Sequence, residues 1–131
     1  MIDKRDEQDL IEALLRAFPE LGDSYREELT AYGDEFPGAY TVVGFVFRPR
    51  FRAELESGTV TDFLQRSARF FEDVCRTGNP ETINVIWIKI FEWLLVRPSE
   101  LRLLWPEFGQ ATKAALRDAA TRWNCLSSLP G

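Results

Sequence analysis

The chain has 131 residues, of which 45% are hydrophobic and 28% are charged, a balance typical of one soluble globular domain. A chain of this size can bury enough surface to fold unaided, and its composition excludes a disordered, collagen-like or disulfide-stapled protein. Its 21 acidic and 16 basic residues give a net charge of −5, which disfavours non-specific binding to nucleic acid or anionic membranes.

The residue types that the sequence lacks exclude several kinds of catalytic and metal-binding site. The sequence contains no histidine, which excludes histidine-activated nucleophiles and imidazole metal sites. The two cysteines, Cys75 and Cys125, form no CxxC motif, and we expect two reduced thiols rather than a disulfide. Residues 1–7 lack the apolar segment of a secretory signal, and residues 83–96 are too short and too polar to cross a bilayer. We therefore expect a cytoplasmic protein.

The first third of the chain is predicted to form two helices, and it carries the chain's excess of acidic residues. Apolar residues at helical spacing predict one helix over residues 3–17 and a second over residues 20–32, which ends at Gly33. Residues 1–38 hold 11 acidic and 4 basic side chains, a net charge of −7, whereas residues 39–131 hold 10 acidic and 12 basic. A charged face of this kind is either a solvated surface or a partner-binding surface.

A turn-rich loop over residues 33–38 follows. It places Asp34 and Glu35 beside the aromatic residues Phe36 and Tyr40. Loops carry function more often than helix bodies do, so this loop is a candidate partner-binding segment. The alternative is that Phe36 fills the core while the two carboxylates are solvated.

Residues 39–47 fit a helix by the spacing of their apolar residues and a strand by their residue types. We expect a helix, because no other segment offers a strand partner. Pro49 is expected to break this helix, and a short helix over residues 51–57 is expected to end at Gly58.

The clearest amphipathic pattern begins at Thr59 or Thr61 and ends at Gly78. Asn79 and Pro80 then mark the start of another helix, since asparagine caps helices and proline suits their first position. This next helix is apolar on almost every side, which predicts a central position in the core.

Two more helical segments are predicted near the C-terminus. Ser99 is expected to cap a short helical turn, and Pro106 to restart a helix that runs to Trp123 with that tryptophan facing inward. Residues 124–131 are expected to be a frayed tail. The sequence thus predicts an all-α domain over residues 1–123, with six or seven antiparallel helices packed as irregular helical hairpins.

One basic cluster contains aromatic residues. Arg48, Arg50 and Arg52 lie within five residues of one another and could bind phosphate or an acidic partner. The alternative is that these arginines form ion pairs with Glu54, Glu56 or the acidic N-terminal third. An acidic protein with so local a basic cluster is not expected to bind nucleic acid.

Three segments carry a resemblance to known proteins: Leu14–Leu21 (LLRAFPEL), Phe70–Val74 (FFEDV) and Ile90–Leu94 (IFEWL). They resemble a bacterial family of small acidic helical domains, and the layout is similar to helical immunity proteins encoded beside polymorphic toxins. The resemblance covers residues 8–120 and involves packing residues. It implies an all-helical fold without enzymatic activity, and it assigns no catalytic or binding residue to this chain.

These observations predict an immunity protein that binds and neutralises a cognate bacterial toxin by direct protein–protein contact. Its acidic N-terminal third would face a basic surface of the toxin, because complementary charge speeds encounter and selects the partner. The predicted partner-binding residues are Asp23, Glu27, Glu28, Tyr32, Asp34, Glu35, Phe36 and Tyr40.

Two other hypotheses stay open. One is a non-enzymatic helical adaptor or regulatory module that binds its partner through the Arg48–Arg52 segment. The other is an enzyme that uses carboxylates and a divalent metal. Under the preferred hypothesis we expect no catalytic residue, cofactor, metal, nucleic acid or membrane, and a monomer or weak homodimer.

Overall fold

Helices account for most of residues 2–33 and 37–130, the part of the chain that the computed structural model describes. No strand occurs within these ranges, so the predicted all-α fold is confirmed. In chain order the seven helices are α1 (Lys4–Ala17), α2 (Gly22–Tyr32), α3 (Ala39–Val42, Val43–Phe47 and Arg48–Glu56), α4 (Asp62–Thr77), α5 (Pro80–Ile86, Trp87–Phe91 and Glu92–Leu95), α6 (Pro98–Leu104) and α7 (Gln110–Arg122).

The helix α3 runs through Pro49 without a break. Just before that proline it contains a wide π-type turn, in which the Arg48 amide donates to the Val43 carbonyl five residues back. In a regular α-helix the proline ring would clash with the carbonyl four residues back. The wide turn relieves this clash locally. The prediction of a helix over residues 39–47 is confirmed, whereas the predicted break at Pro49 is wrong.

The helices α3 and α5 lie side by side and run parallel. Near their starts the Asn84 amide donates to the Tyr40 hydroxyl at 2.8 Å, and further along the Arg48 guanidinium donates to the Lys89 carbonyl at 3.1 Å. A Cβ at Gly44 would lie 3.4 Å from Cδ of Lys89. A Cβ at this position would make ordinary contact with the flexible Lys89 side chain, so Gly44 marks where the two helices meet.

The helix α4 lies at the centre of the core. Its N-cap is Thr61, whose hydroxyl accepts from the Leu64 amide at 3.2 Å. Its fully buried Phe71 lies with its ring 5.6–6.4 Å, centroid to centroid, from five other phenylalanine rings. These rings belong to α3, α4, α5 and the segment before α7, so one aromatic cluster joins four parts of the chain.

Burial differs from the prediction at three apolar positions. The helix α5 begins at Pro80 with Asn79 as its cap, as predicted, and buries six apolar side chains, but Ile88 and Val96, the residue after the helix, are exposed. Trp123, expected to face inward, is 62% exposed. Trp123 is the C-cap residue of α7 and lies one position past the end of the helix.

Two helix starts also differ from the prediction. The helix α6 begins at Pro98 with Arg97 in the N-cap position, so Ser99 lies inside the first turn and is not the cap. A proline at the first helical position is well placed because its missing amide would have had no helical partner. Pro106 belongs to a short 3₁₀ turn, and α7 begins only after Gly109.

Candidate partner-binding surface

The helix α2 lies on the outside of the fold. None of its residues is buried, and its main contacts are with the short turn before it and with the wide turn of α3. Asp23 and Glu27, one helical turn apart, are both exposed, and Asp23 pairs with Arg26 of the same helix. Tyr32, at the end of α2, is also exposed. Three of the predicted partner-binding residues are therefore accessible on one peripheral helix.

Other acidic side chains extend this surface. Glu28 is half-buried, and its Oε2 has no hydrogen-bond partner among the described residues. Burial and the nearby charge of Glu12 raise the pKa of Tyr25, and Glu12 itself is exposed on α1. We call Glu12, Asp23, Glu27 and Glu28 the acidic surface. Sequence reasoning missed Glu12, although the polar side of the α1 pattern could have indicated it.

The loop after α2 is described only in part. The helix ends at Gly33, whose φ of 63° favours glycine, and the chain resumes at the buried Pro37. The candidates Asp34, Glu35 and Phe36 lie outside the described residues, and their role stays a prediction.

Tyr40 lies apart from the acidic surface in the described contacts. Its hydroxyl accepts from Asn84 of α5, and the two residues line a small cleft of about 250 Å³ with Ile2. Within residues 2–33 and 37–130, no hydrogen bond joins Tyr40 to the carboxylates of α2. The structure therefore places this candidate with α5.

The basic segment is largely paired within α3. Arg50 forms an ion pair with Glu54 at 3.2 Å, and Arg52 forms one with Glu56 at 2.9 Å, as expected if they pair within the helix, and their role in partner binding stays a prediction. Arg48 behaves differently. Its guanidinium donates to a backbone carbonyl of α5 and lies 5.9 Å from the ring centroid of Trp93.

A groove of about 600 Å³ separates α1 from α4. Its floor is apolar, and its rim is basic at one end and acidic at the other. Sequence reasoning missed it, because the groove exists only once α1 and α4 are known to be neighbours. Its floor includes Leu10, Ala13, Phe70 and Val74, and its rim includes Asp6, Asp9, Arg16, Arg66, Arg69 and Asp73.

A comparison with known families assigns most of the chain to one family. The family model described as a domain of unknown function, DUF7674, matches residues 11–124. This chain belongs to the DUF7674 family. The match runs from within α1 to just beyond α7, so it includes all of α2 and the α4 side of the groove, whereas Asp6, Asp9 and Leu10 of the groove precede it. No curated protein and no solved structure matches the chain.

A second exposed region of the DUF7674 domain surrounds Trp123. The Trp123 indole donates to a carboxylate oxygen of Glu92 at 2.9 Å, and Arg122 lies 5.4 Å from the ring centroid of Trp87. Clefts of about 590 and 520 Å³ lie on either side of the Trp123 ring. Sequence reasoning missed this region because it placed Trp123 in the core.

The two cysteines are partly buried. Burial and the nearby Glu72 raise the pKa of Cys75 to about 11, and both cysteines are free thiols. No group of three or more His, Cys, Asp or Glu residues able to hold a metal occurs among the described residues. Over the same residues, every helix is too short or too polar to span a bilayer.

Proposed function

We propose that this DUF7674 domain acts by binding another protein through the acidic surface, and that the bound region of the partner is basic. The observation that carries this proposal is the position of α2, which exposes Asp23, Glu27 and Tyr32 and buries no side chain in the core. Tyr25 packs partly against the core, but core packing does not explain the exposed side chains of this helix, whereas contact with a partner would.

The chemistry of the surface suits a charged protein partner. Exposed carboxylates attract a basic surface over several ångströms and raise the association rate, an effect that salt weakens. Tyrosine is among the residues that contribute most to binding energy at interfaces, and Tyr32 lies at the end of the same helix. A buried pairing partner for the free Oε2 of Glu28 would add a charge-assisted hydrogen bond.

The partner that we propose is a bacterial toxin, and the domain would be its immunity protein. This part of the proposal is supported by the resemblance of residues 8–120 to helical immunity proteins. Binding of the acidic surface would block the toxin by covering a basic region that its substrate needs.

The test begins with the partner, which we would obtain by co-purification from the native host. The double reversal D23K/E27K should then weaken binding by about tenfold or more, mainly through a slower association rate with a smaller salt dependence. The double reversal E107K/D118K is the matched control, because Glu107 and Asp118 are also exposed but lie elsewhere. Its affinity should equal that of the wild type.

The loop candidates need a separate variant. D34K/E35K should also weaken the complex while leaving the melting temperature unchanged. If neither acidic reversal changes the affinity and R50E abolishes binding instead, the acidic surface is not the interface and the adaptor hypothesis replaces this proposal.

A further inference from the structure

The groove between α1 and α4 exposes part of the hydrophobic core. The two helices run antiparallel, since Arg66 donates to the Ala17 carbonyl at one end and Asn79 donates to Asp6 at the other. Between these ends, Phe70 and Val74 are 6% and 7% exposed, the largest values among the buried apolar residues of the described chain. The floor of the groove is therefore apolar, and a small part of each of these two side chains reaches solvent.

The rim of the groove has two ends of opposite charge. Arg16 and Arg69 lie toward the end of α1, and neither forms an ion pair with any residue that the structure describes. Asp9 and Asp73 lie toward the other end, where Asp9 has no described ion pair and Asp73 has only a 3.9 Å contact with Arg76. Asp9, Arg16 and Arg69 are thus available to a partner, whereas Arg66 of the same rim pairs with Glu20 and Asp62, and Asp6 accepts from Asn79.

We infer that this groove binds an amphipathic helix of a partner protein, with an acidic side chain at the Arg16 end and a basic side chain at the Asp9 end. Asp9 and Arg16 are seven residues apart on α1, which is roughly 10 Å along the axis. Two helical turns of a ligand span the same length, so its charges would lie about seven positions apart with apolar residues between them. A third helix in this position would pack against the exposed side chains of α1 and α4. The inference does not depend on the acidic surface.

Synthetic helical peptides of about 18 residues test the inference. The first peptide has a leucine face flanked by one glutamate and one lysine seven positions apart. The second has the same face flanked by two lysines, and the third has it flanked by two glutamates. Binding is followed by fluorescence anisotropy, and the bound region is mapped by ¹⁵N chemical-shift changes. The wild type should bind the first peptide best, with the largest shifts in α1 and α4.

Charge reversal of one end supplies a gain-of-binding test. R16E/R69E should lose about tenfold in affinity for the Glu/Lys peptide and should now prefer the two-lysine peptide, because both ends of its groove are acidic. R102E/R117E, which reverses two exposed arginines outside the groove, should keep the wild-type order of preference. If R16E/R69E is not folded, D9K/D73K provides the reciprocal test and should prefer the two-glutamate peptide.

Three results would overturn the inference: equal binding of the three peptides by the wild type, no change of preference in the folded reversal variant, or shifts centred on Trp123. The variant D23K/E27K should bind the peptides as the wild type does. The experiments therefore distinguish a failure of the groove proposal from a failure of the proposed acidic interface.

Discussion

At the starts of two helices, a glutamate from a different helix accepts the backbone hydrogen bonds. Glu72 of α4 accepts from the Thr112 amide at 2.9 Å, and Glu7 of α1 accepts from the first amide of α3 at 2.6 Å. Each capped helix follows a glycine, Gly109 or Gly38, at which a Cβ would lie 2.3 or 2.6 Å from the glutamate side chain. These glycines make room for a tertiary cap in place of the usual Ser or Asp.

The substitution G109A should destabilise the protein by about 1 kcal/mol, because the new methyl group would displace the carboxylate that caps α7. Burial raises the pKa of Glu72, but its hydrogen bonds with Thr112 and Ala111 outweigh burial and leave the pKa below its usual value. Urea denaturation gives the change in free energy of unfolding. The control is G22A. Gly22 lies in a helix, and a Cβ there would be an ordinary 3.5 Å from the Arg26 side chain, so this substitution should be neutral or slightly stabilising. Equal stability of G109A and the wild type would contradict this account of the cap.

Glu20 predicts a specific pH dependence. Arg66 donates to it at 2.8 Å, and this hydrogen bond lowers the pKa of Glu20 to about 2. Because the pKa is lower in the folded state than the unfolded value of about 4.3, the added stability is present above that value and is lost as the pH falls toward 2. E20Q should therefore cost about 1 kcal/mol at neutral pH and much less near pH 2.

The measurement is the difference in free energy of unfolding between E20Q and the wild type at several pH values. E107Q, at an exposed carboxylate, should show a small difference that does not change with pH. A difference for E20Q that stays constant down to pH 2 would exclude the proposed pairing in the folded state.

At the scale of the element, α3 and α5 each contain a wide turn, and these turns face each other across Gly44. The wide turn in α3 explains why Pro49 is tolerated in the middle of a long helix. A proline that strained a regular helix would cost about 3 kcal/mol, and its removal would recover that amount. P49A should instead change the free energy of unfolding by less than about 1 kcal/mol, as measured in urea. Stabilisation of P49A by about 3 kcal/mol would show that the wide turn does not relieve the clash between the proline ring and the helix.

Helix existence could be predicted from the sequence, and helix connections could not. Apolar periodicity indicated a helical segment within each helix, although it divided α3 in two. Asn79 caps its helix as predicted, and of the two candidates Thr59 and Thr61 it is Thr61 that caps α4, because each acts on its own helix. The start of α7 was missed, because its cap comes from Glu72 in another helix. The continuity of α3 was missed for a similar reason, since a wide turn leaves no distinctive residue pattern.

The candidate site was predictable to the extent that it lies on one helix. Helical spacing is enough to place Asp23 and Glu27 on the same side of α2, and both are exposed as a partner-binding residue must be. Tyr40 was grouped with them by nearness in sequence, but packing of α3 on α5 joins it to Asn84. The groove required knowledge of which helices are neighbours, and single-sequence periodicity does not contain that information.

Over the whole molecule, the acidic residues of the N-terminal third fall into two groups, those that bond to other elements of the fold and those that do not. Of the acidic residues in the N-terminal third, Glu7, Asp6 and Glu20 bind groups on other elements and hold this third against the rest of the fold. The carboxylates of the acidic surface have no such structural partner outside their own helix pair in the described residues. The net charge of −7 in residues 1–38 is therefore partly structural and partly available to a partner.

The aromatic core gives the sharpest test of the overall arrangement, because two phenylalanines occupy opposite environments. Phe71 is fully buried among five other rings, whereas Phe45 is 67% exposed. F71A should lower the free energy of unfolding by about 3–5 kcal/mol through lost packing and a residual cavity. F45A should change it by no more than about 0.5 kcal/mol, since an exposed ring loses little when truncated.

Both changes in free energy are measured by urea denaturation. The dependence of the free energy on urea concentration should be the same in both variants as in the wild type, which checks that all three unfold in the same way. A domain of this size has a total stability of about 5–15 kcal/mol, so F71A alone should remove a large share of it. A loss of similar size in F45A would mean that Phe45 is buried in solution, either by a different packing of α3 or by a second molecule. Dilution distinguishes these cases, because only burial by a second molecule depends on protein concentration.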